Sequence, residues 1–204
     1  ILKILENHPI NSNIFLIDHL SHPFPATIRS RCKILRLDPL KESEVYKVLE
    51  KILTNQKKET LNFYTKLSNG SPGKALELYE YNGKKVLEII CEFIINIKTF
   101  NINVLDKLYA STKDNFHKSS FINIFFMLIT MVLTKAIKVK SQLHINFFDI
   151  NEERAVNKLS NEVCLEKLFS AIEYAQELNS DMNAYNLDIK NCIYTSLIKL
   201  KKIF

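Results

Sequence analysis

The chain has 204 residues, 47% of them hydrophobic and 25% charged, an ordinary soluble composition long enough for one large domain or roughly two to three small ones. Only 3 glycines and 5 prolines punctuate it, which argues for long helices and few tight β-turns. The net charge of +6 permits contact with nucleic acid or an acidic protein, but the lysines are spread along the chain and form no basic block.

Cys32, Cys91, Cys164 and Cys192 show no CxxC spacing, so neither a zinc site nor any other metal site is expected. Isolated thiols in a lysine-rich chain fit a reducing cytoplasm, with Cys91, Cys164 and Cys192 read as buried small hydrophobes. The opening Ile1-Leu2-Lys3-Ile4-Leu5-Glu6 has no initiator Met and no signal-peptide character. It reads as a helix entered midway, in a fragment whose upstream portion is missing.

Leu2, Ile4 and Leu5 form the apolar side of this opening helix, which Asn7-His8-Pro9 ends. Ile14-Phe15-Leu16-Ile17 is a continuous apolar run, the pattern of a strand buried on both faces. Pro23 and Pro25 bracket the next connection, residues 27–31 read as one short helical turn, and Lys33-Ile34-Leu35-Arg36-Leu37 as a second strand. These pieces alone cannot build a sheet and call for partner strands upstream.

At Asp38-Pro39-Leu40 the pattern turns helical. Ser43 is the expected cap of a helix over residues 44–53, with Val45, Val48, Leu49 and Ile52 on one face. Residues 59–67 repeat the pattern through Leu61, Tyr64 and Leu67. Asn69-Gly70 stops that helix, and Ser71 with Pro72 starts another that runs to about residue 79. Longer helices are expected at 86–97, 103–109, 115–139, 162–178 and 187–202, with a break near 141–151. Val163, Leu168, Ala171, Ile172 and Ala175 keep helical spacing in the fourth of these, as do Ile189, Ile193, Leu197 and Leu200 in the last. The most apolar run, residues 121–133, is shorter than the roughly 20 residues of a membrane span and soon meets Lys135 and Lys138, so a buried core helix is expected.

The segment with most chemical content is Pro25-Ala26-Thr27-Ile28-Arg29-Ser30-Arg31-Cys32. Two arginines on a tight turn at a strand end can face a neighbouring subunit's phosphates, because the planar, always-charged fork matches phosphate oxygens. A solvated basic turn has the same appearance. Gly70-Ser71-Pro72-Gly73-Lys74 is not a Walker A loop: its glycines are too close, Ala75 follows Lys74, and it succeeds a helix. A helix start beside Lys74 can nevertheless meet an anion. His8, His19, His22, His117 and His144 lack metal-ligand spacing, and Asp18 with His19 and His22 is the one candidate cluster near a strand end. No complete active site is assembled by these residues.

In order, Leu2-Lys3-Ile4-Leu5-Glu6-Asn7-His8-Pro9, the run Asn13-Ile14-Phe15-Leu16-Ile17 and the Ser30-Arg31-Cys32 turn resemble the second half of the AAA+ module of bacterial DNA polymerase III clamp-loader subunits. Ser68-Asn69-Gly70-Ser71-Pro72-Gly73-Lys74-Ala75-Leu76 is similar to the sensor 2 segment of that family's lid. Met182-Asn183-Ala184-Tyr185-Asn186-Leu187-Asp188-Ile189-Lys190 resembles the final helix entry of delta-prime subunits. The likeness is specific up to about Leu78, and beyond that it rests on helical layout and this tail.

The resemblance implies a mainly α fold with a truncated α/β N-terminal part. Residues 1–38 would end an AAA+ domain, 39–82 form a three-helix lid, and 83–204 form a helical collar for oligomerisation. It implies a subunit most like delta-prime, without self-contained activity, accessory to a DNA polymerase holoenzyme in the bacterial cytoplasm. Arg31 would be an arginine finger reaching ATP in the adjacent subunit, with Arg29, Ser30 and Cys32 shaping the turn and Lys74 in the nucleotide-sensing position. No cofactor is expected in the fragment itself. The implied partners are the gamma/tau and delta subunits, the sliding clamp and primed DNA. Asp18-His19 departs from the small hydroxyl residues that motor subunits carry after this strand, which favours delta-prime over an ATP-hydrolysing gamma/tau subunit. An unrelated basic helical nucleic-acid-binding protein is the remaining alternative.

Overall fold

A computed structural model of the chain describes residues 2–7, 11–18, 24–97, 99, 118–185 and 188–204. Among them the regular structure is helical: α1 (Leu2–Glu6), α2 (Ala26–Arg29), α3 (Glu42–Ile52), α4 (Lys58–Leu67), α5 (Pro72–Glu80), α6 (Gly83–Ile95), α7 (Lys118–Lys140), α8 (Ile150–Glu162), α9 (Leu165–Tyr185) and α10 (Ile189–Ile203). The chain divides into two compact units, Ile1–Pro39 and Leu40–Phe204.

In the first unit the two expected strands do not form. Residues 14–17 and 33–37 are irregular, and no described neighbour makes a ladder with them. A strand exists only when a neighbour takes its backbone groups, whatever its side-chain pattern. Phe15 and Leu37 stand 88% and 87% exposed in consequence. The helical turn at 27–31 is present as α2, one residue earlier. The Pro9 stop of the opening helix lies outside the described residues.

The second unit begins with α3, α4 and α5 packed against one another. Val45 and Leu49 of α3, Leu61, Tyr64 and Leu67 of α4, and Ala75 and Leu78 of α5 are buried. Val48 is half-buried and Ile52 exposed, so the buried face of α3 is narrower than its apolar spacing suggested. Ser43 does not cap α3. Glu44 reaches back instead, its Oε2 accepting the Lys41 N–H at 2.9 Å, and the helix starts at Glu42. The Asn69-Gly70 stop and the Ser71 start do form: Gly70 has φ 83, and Ser71 Oγ accepts the Lys74 N–H at 3.3 Å.

α6 follows α5 after Tyr81 and Asn82 alone, with Asn82 left-handed at φ 53. α7 is the apolar helix expected near residues 115–139. By length and composition it could cross a membrane. Instead, Phe121, Ile122, Phe125, Leu128, Val132 and Ala136 are buried as it packs on α6, α8, α9 and α10. The helix expected at 103–109 lies outside the described residues. α8 fills a stretch where no helix was expected. Its start is signalled by Asp149, whose Oδ1 accepts the Glu152 N–H at 2.8 Å, and Ala155, Val156 and Leu159 form its buried face. Cys91 and Cys192 are buried as expected, whereas Cys164 is exposed because it precedes α9 on the solvent side.

α6, α7 and α8 pack on one another with their C-terminal ends close together. Lys135 of α7 meets Glu152 of α8, and Lys140 five residues on meets the Ser160 and Val163 carbonyls at 2.6 and 2.9 Å. Lys158 of α8 donates to the Ile95 carbonyl, the last of α6, at 2.7 Å. Their negative ends thus gather where Lys140 and Lys158 satisfy otherwise orphaned carbonyls. α9 and α10 pack on each other, and Lys199 Nζ sits 3.7 Å from the Tyr174 ring centroid.

Candidate functional site

The arginine turn is built from Pro25 onward. The Pro25 carbonyl accepts the Ile28 and Arg29 N–H groups at 2.9 and 3.1 Å, and the Ala26 carbonyl accepts that of Ser30 at 2.9 Å. The turn then tightens, Arg31 donating to Ile28 and Cys32 to Arg29 at 3.1 and 3.3 Å. The Thr27 carbonyl, left over at the end of so short a helix, receives Ser30 Oγ at 3.2 Å and Arg31 Nη1 at 2.9 Å. Arg31 Nη2 lies 2.8 Å from Glu6 Oε1 of α1, with 42% and 48% of the two side chains exposed.

This geometry presents a cation on a short, internally hydrogen-bonded turn. Arg29 and Ser30 are exposed beside it, and Cys32 is a half-buried free thiol. An exposed ion pair is worth roughly 0–1 kcal/mol, so a multiply charged phosphate can replace Glu6 on the guanidinium. Glu6 was not legible as a partner of Arg31: 25 residues separate them, and a surface carboxylate carries no local signal.

Lys74 belongs to the second unit, whereas Arg29, Ser30, Arg31 and Cys32 belong together in the first. Half-buried in the first turn of α5, Lys74 lines a cleft of about 410 Å³ with the N-cap Ser71, Glu77 of the same helix, and Asn123, Ile124 and Met127 of α7. The cleft joins a helix start and a lysine to one carboxylate.

Another cleft, of about 620 Å³, lies among Tyr64, Tyr79, Lys84, Lys85 and Glu88. Burial pushes the Tyr64 hydroxyl above its ordinary value, against a hydrogen bond from the Lys84 backbone that lowers it. Burial also drives the Cys91 thiol up to about 12, with Glu152 and Asp149 adding to the effect and Lys135 opposing it. Such a thiol stays protonated and unreactive.

Of the histidine candidates, His8, His19, His22 and His117 lie outside the described residues, and His144 is exposed ahead of α8. Asp18 accepts the Phe24 N–H at 3.3 Å. Among the described residues, no group of His, Cys, Asp and Glu is gathered as a metal site.

No family model matches the chain. Over 92 residues it is 33% identical to DNA polymerase III subunit delta' of Escherichia coli (strain K12), a stretch that is 45% of this chain and 27% of that protein. The match therefore spans about a quarter of that curated relative's length. Part of this helical chain is similar to a DNA polymerase III subunit.

Proposed function

We propose that the chain serves in a bacterial DNA polymerase III clamp loader as a delta-prime-like subunit, giving Arg31 in trans to the ATP site of a neighbouring motor subunit. The observation that carries this reading is the exposed Arg31 guanidinium on its tight turn, tethered among the described residues by Thr27 and Glu6. The likeness to a DNA polymerase III delta' subunit supports it. Arg29, Ser30 and Cys32 keep the turn, and Lys74 is the nucleotide-sensing residue. On this reading residues 1–38 end an AAA+ domain, 39–82 are the lid and 83–204 the collar.

In this role the chain performs no hydrolysis of its own. When the adjacent subunit presents ATP, Arg31 leaves Glu6 and places its fork on the phosphate oxygens, where it offsets charge that grows in the transition state. The gamma/tau and delta subunits, the sliding clamp and primed DNA are the partners, and the assembly works in the bacterial cytoplasm.

The test is clamp- and DNA-stimulated ATP hydrolysis by a loader reconstituted with the full-length protein. Arg31→Ala should lower hydrolysis at the adjoining site by about 10³-fold or more with the ring assembled, and Arg31→Lys should not restore it, since an ammonium lacks the fork. Full hydrolysis in an intact ring carrying Arg31→Ala would remove the finger. A wild-type chain that joins no such ring would remove the clamp-loader reading.

A further inference from the structure

The connection between α7 and α8 carries an arrangement that the proposed function does not use. Glu152 is fully buried, and both carboxylate oxygens are engaged. Oε1 pairs with Lys135 Nζ at 2.7 Å, and Oε2 accepts the Phe148 N–H at 2.7 Å. Lys135 Nζ also donates to the Asn146 carbonyl at 2.9 Å and lies 4.2 Å from the Phe148 ring centroid. The backbone at Asn146 and Phe148 is thus tied to α7 and α8 by charged groups. The Phe148 ring then meets Phe63 of α4, centroid to centroid at 5.3 Å. Phe63 in turn lies edge-on to Tyr64 and takes Lys84 of α6 at 5.7 Å from its centroid.

These contacts join two groups of helices, α3–α5 and α6–α10, whose covalent link is the short junction at Tyr81 and Asn82. That junction is two residues long, and the clefts at Lys74 and at Tyr64 open between the two groups. The Phe148–Phe63 contact adds a restraint from the α7–α8 connection, remote from that junction in sequence. We propose that residues 143–149 are a strap that locks α3–α5 onto the long-helix bundle, with Phe148 as the latch on Phe63 and the Lys135–Glu152 pair setting the latch. A buried ion pair adds little net stability over apolar residues of the same volume, so what this one supplies is geometry. The inference stands independently of the clamp-loader reading.

Electron–electron spin distances on the full chain test it. One label is placed on the exposed Cys164, the other on Lys47→Cys of α3, with Cys32→Ser removing the other accessible thiol. The unaltered strap should give one narrow distance distribution. Phe148→Leu, Phe63→Leu and Glu152→Gln should each broaden it at least twofold while helix content by circular dichroism stays unchanged. Phe63→Leu with Phe148→Leu should broaden it no further than either alone, because both remove one contact. A distribution that stays narrow in the single variants overturns the strap. So does broadening that appears only together with loss of helix content, which would make the contact part of general folding instead of a lock.

Discussion

Cys91 shows how a single side chain reports its surroundings. Its thiol is raised from the ordinary 9.0 to about 12 in the folded chain, chiefly by burial. The unfolded chain loses that proton near pH 9 while the folded chain keeps it, so the associated stability is complete below pH 9 and is lost as pH rises toward 12. Denaturant unfolding between pH 8 and 11 should show wild type losing up to about 1.4 kcal/mol per pH unit more than Cys91→Ala. Equal slopes in both proteins would mean that the thiol is hydrated. Cys91 was legible as a buried residue because it lies on the apolar face of α6. Its neighbours Glu152 and Lys135 were not, since the partner of a buried charge is chosen by packing across 17 residues of sequence. Arg31 is the reverse case: its residue type marked it, and only the folded turn revealed that Glu6 and Thr27 hold it.

At the scale of elements, local signals predicted what local chemistry controls. Ser71 and Pro72 start α5 where expected, since an N-cap and a proline at N1 need nothing beyond their own turn. The same logic missed α8, whose polar residues Asn151, Glu152, Glu153, Arg154, Asn157 and Lys158 hide the spacing of Ala155, Val156 and Leu159. The α5–α6 junction yields a firm expectation. A Cβ on Gly83 would stand 2.9 Å from Leu78 Cδ2 and 3.0 Å from the Leu78 backbone oxygen. The leucine tip can move but the carbonyl cannot, so Gly83→Ala should cost about 1–3 kcal/mol in chemical denaturation despite alanine's better helix propensity. A gain in stability would show that the junction can open.

Across the molecule, α7 packs on α6, α8, α9 and α10, and its Phe125 has no exposed surface. Phe125→Ala should cost about 3–5 kcal/mol and lower the thermal midpoint for the unit Leu40–Phe204, followed by far-ultraviolet circular dichroism. A cost under about 1 kcal/mol would mean that the bundle collapses readily around the vacated ring.

By itself the sequence determined the helical class, the start of α5, the stop after α4, the central apolar helix and the arginine turn. Each depends on periodicity or on groups within a turn of one another. Only the tertiary structure decided that residues 14–17 and 33–37 are not strands, because a ladder requires a neighbour. It alone made Glu152 a buried anchor and paired Arg31 with Glu6. It also set α6, α7 and α8 side by side with lysines on their carbonyl ends. These outcomes depend on which distant groups meet, and that is settled by three-dimensional packing and the satisfaction of buried charge.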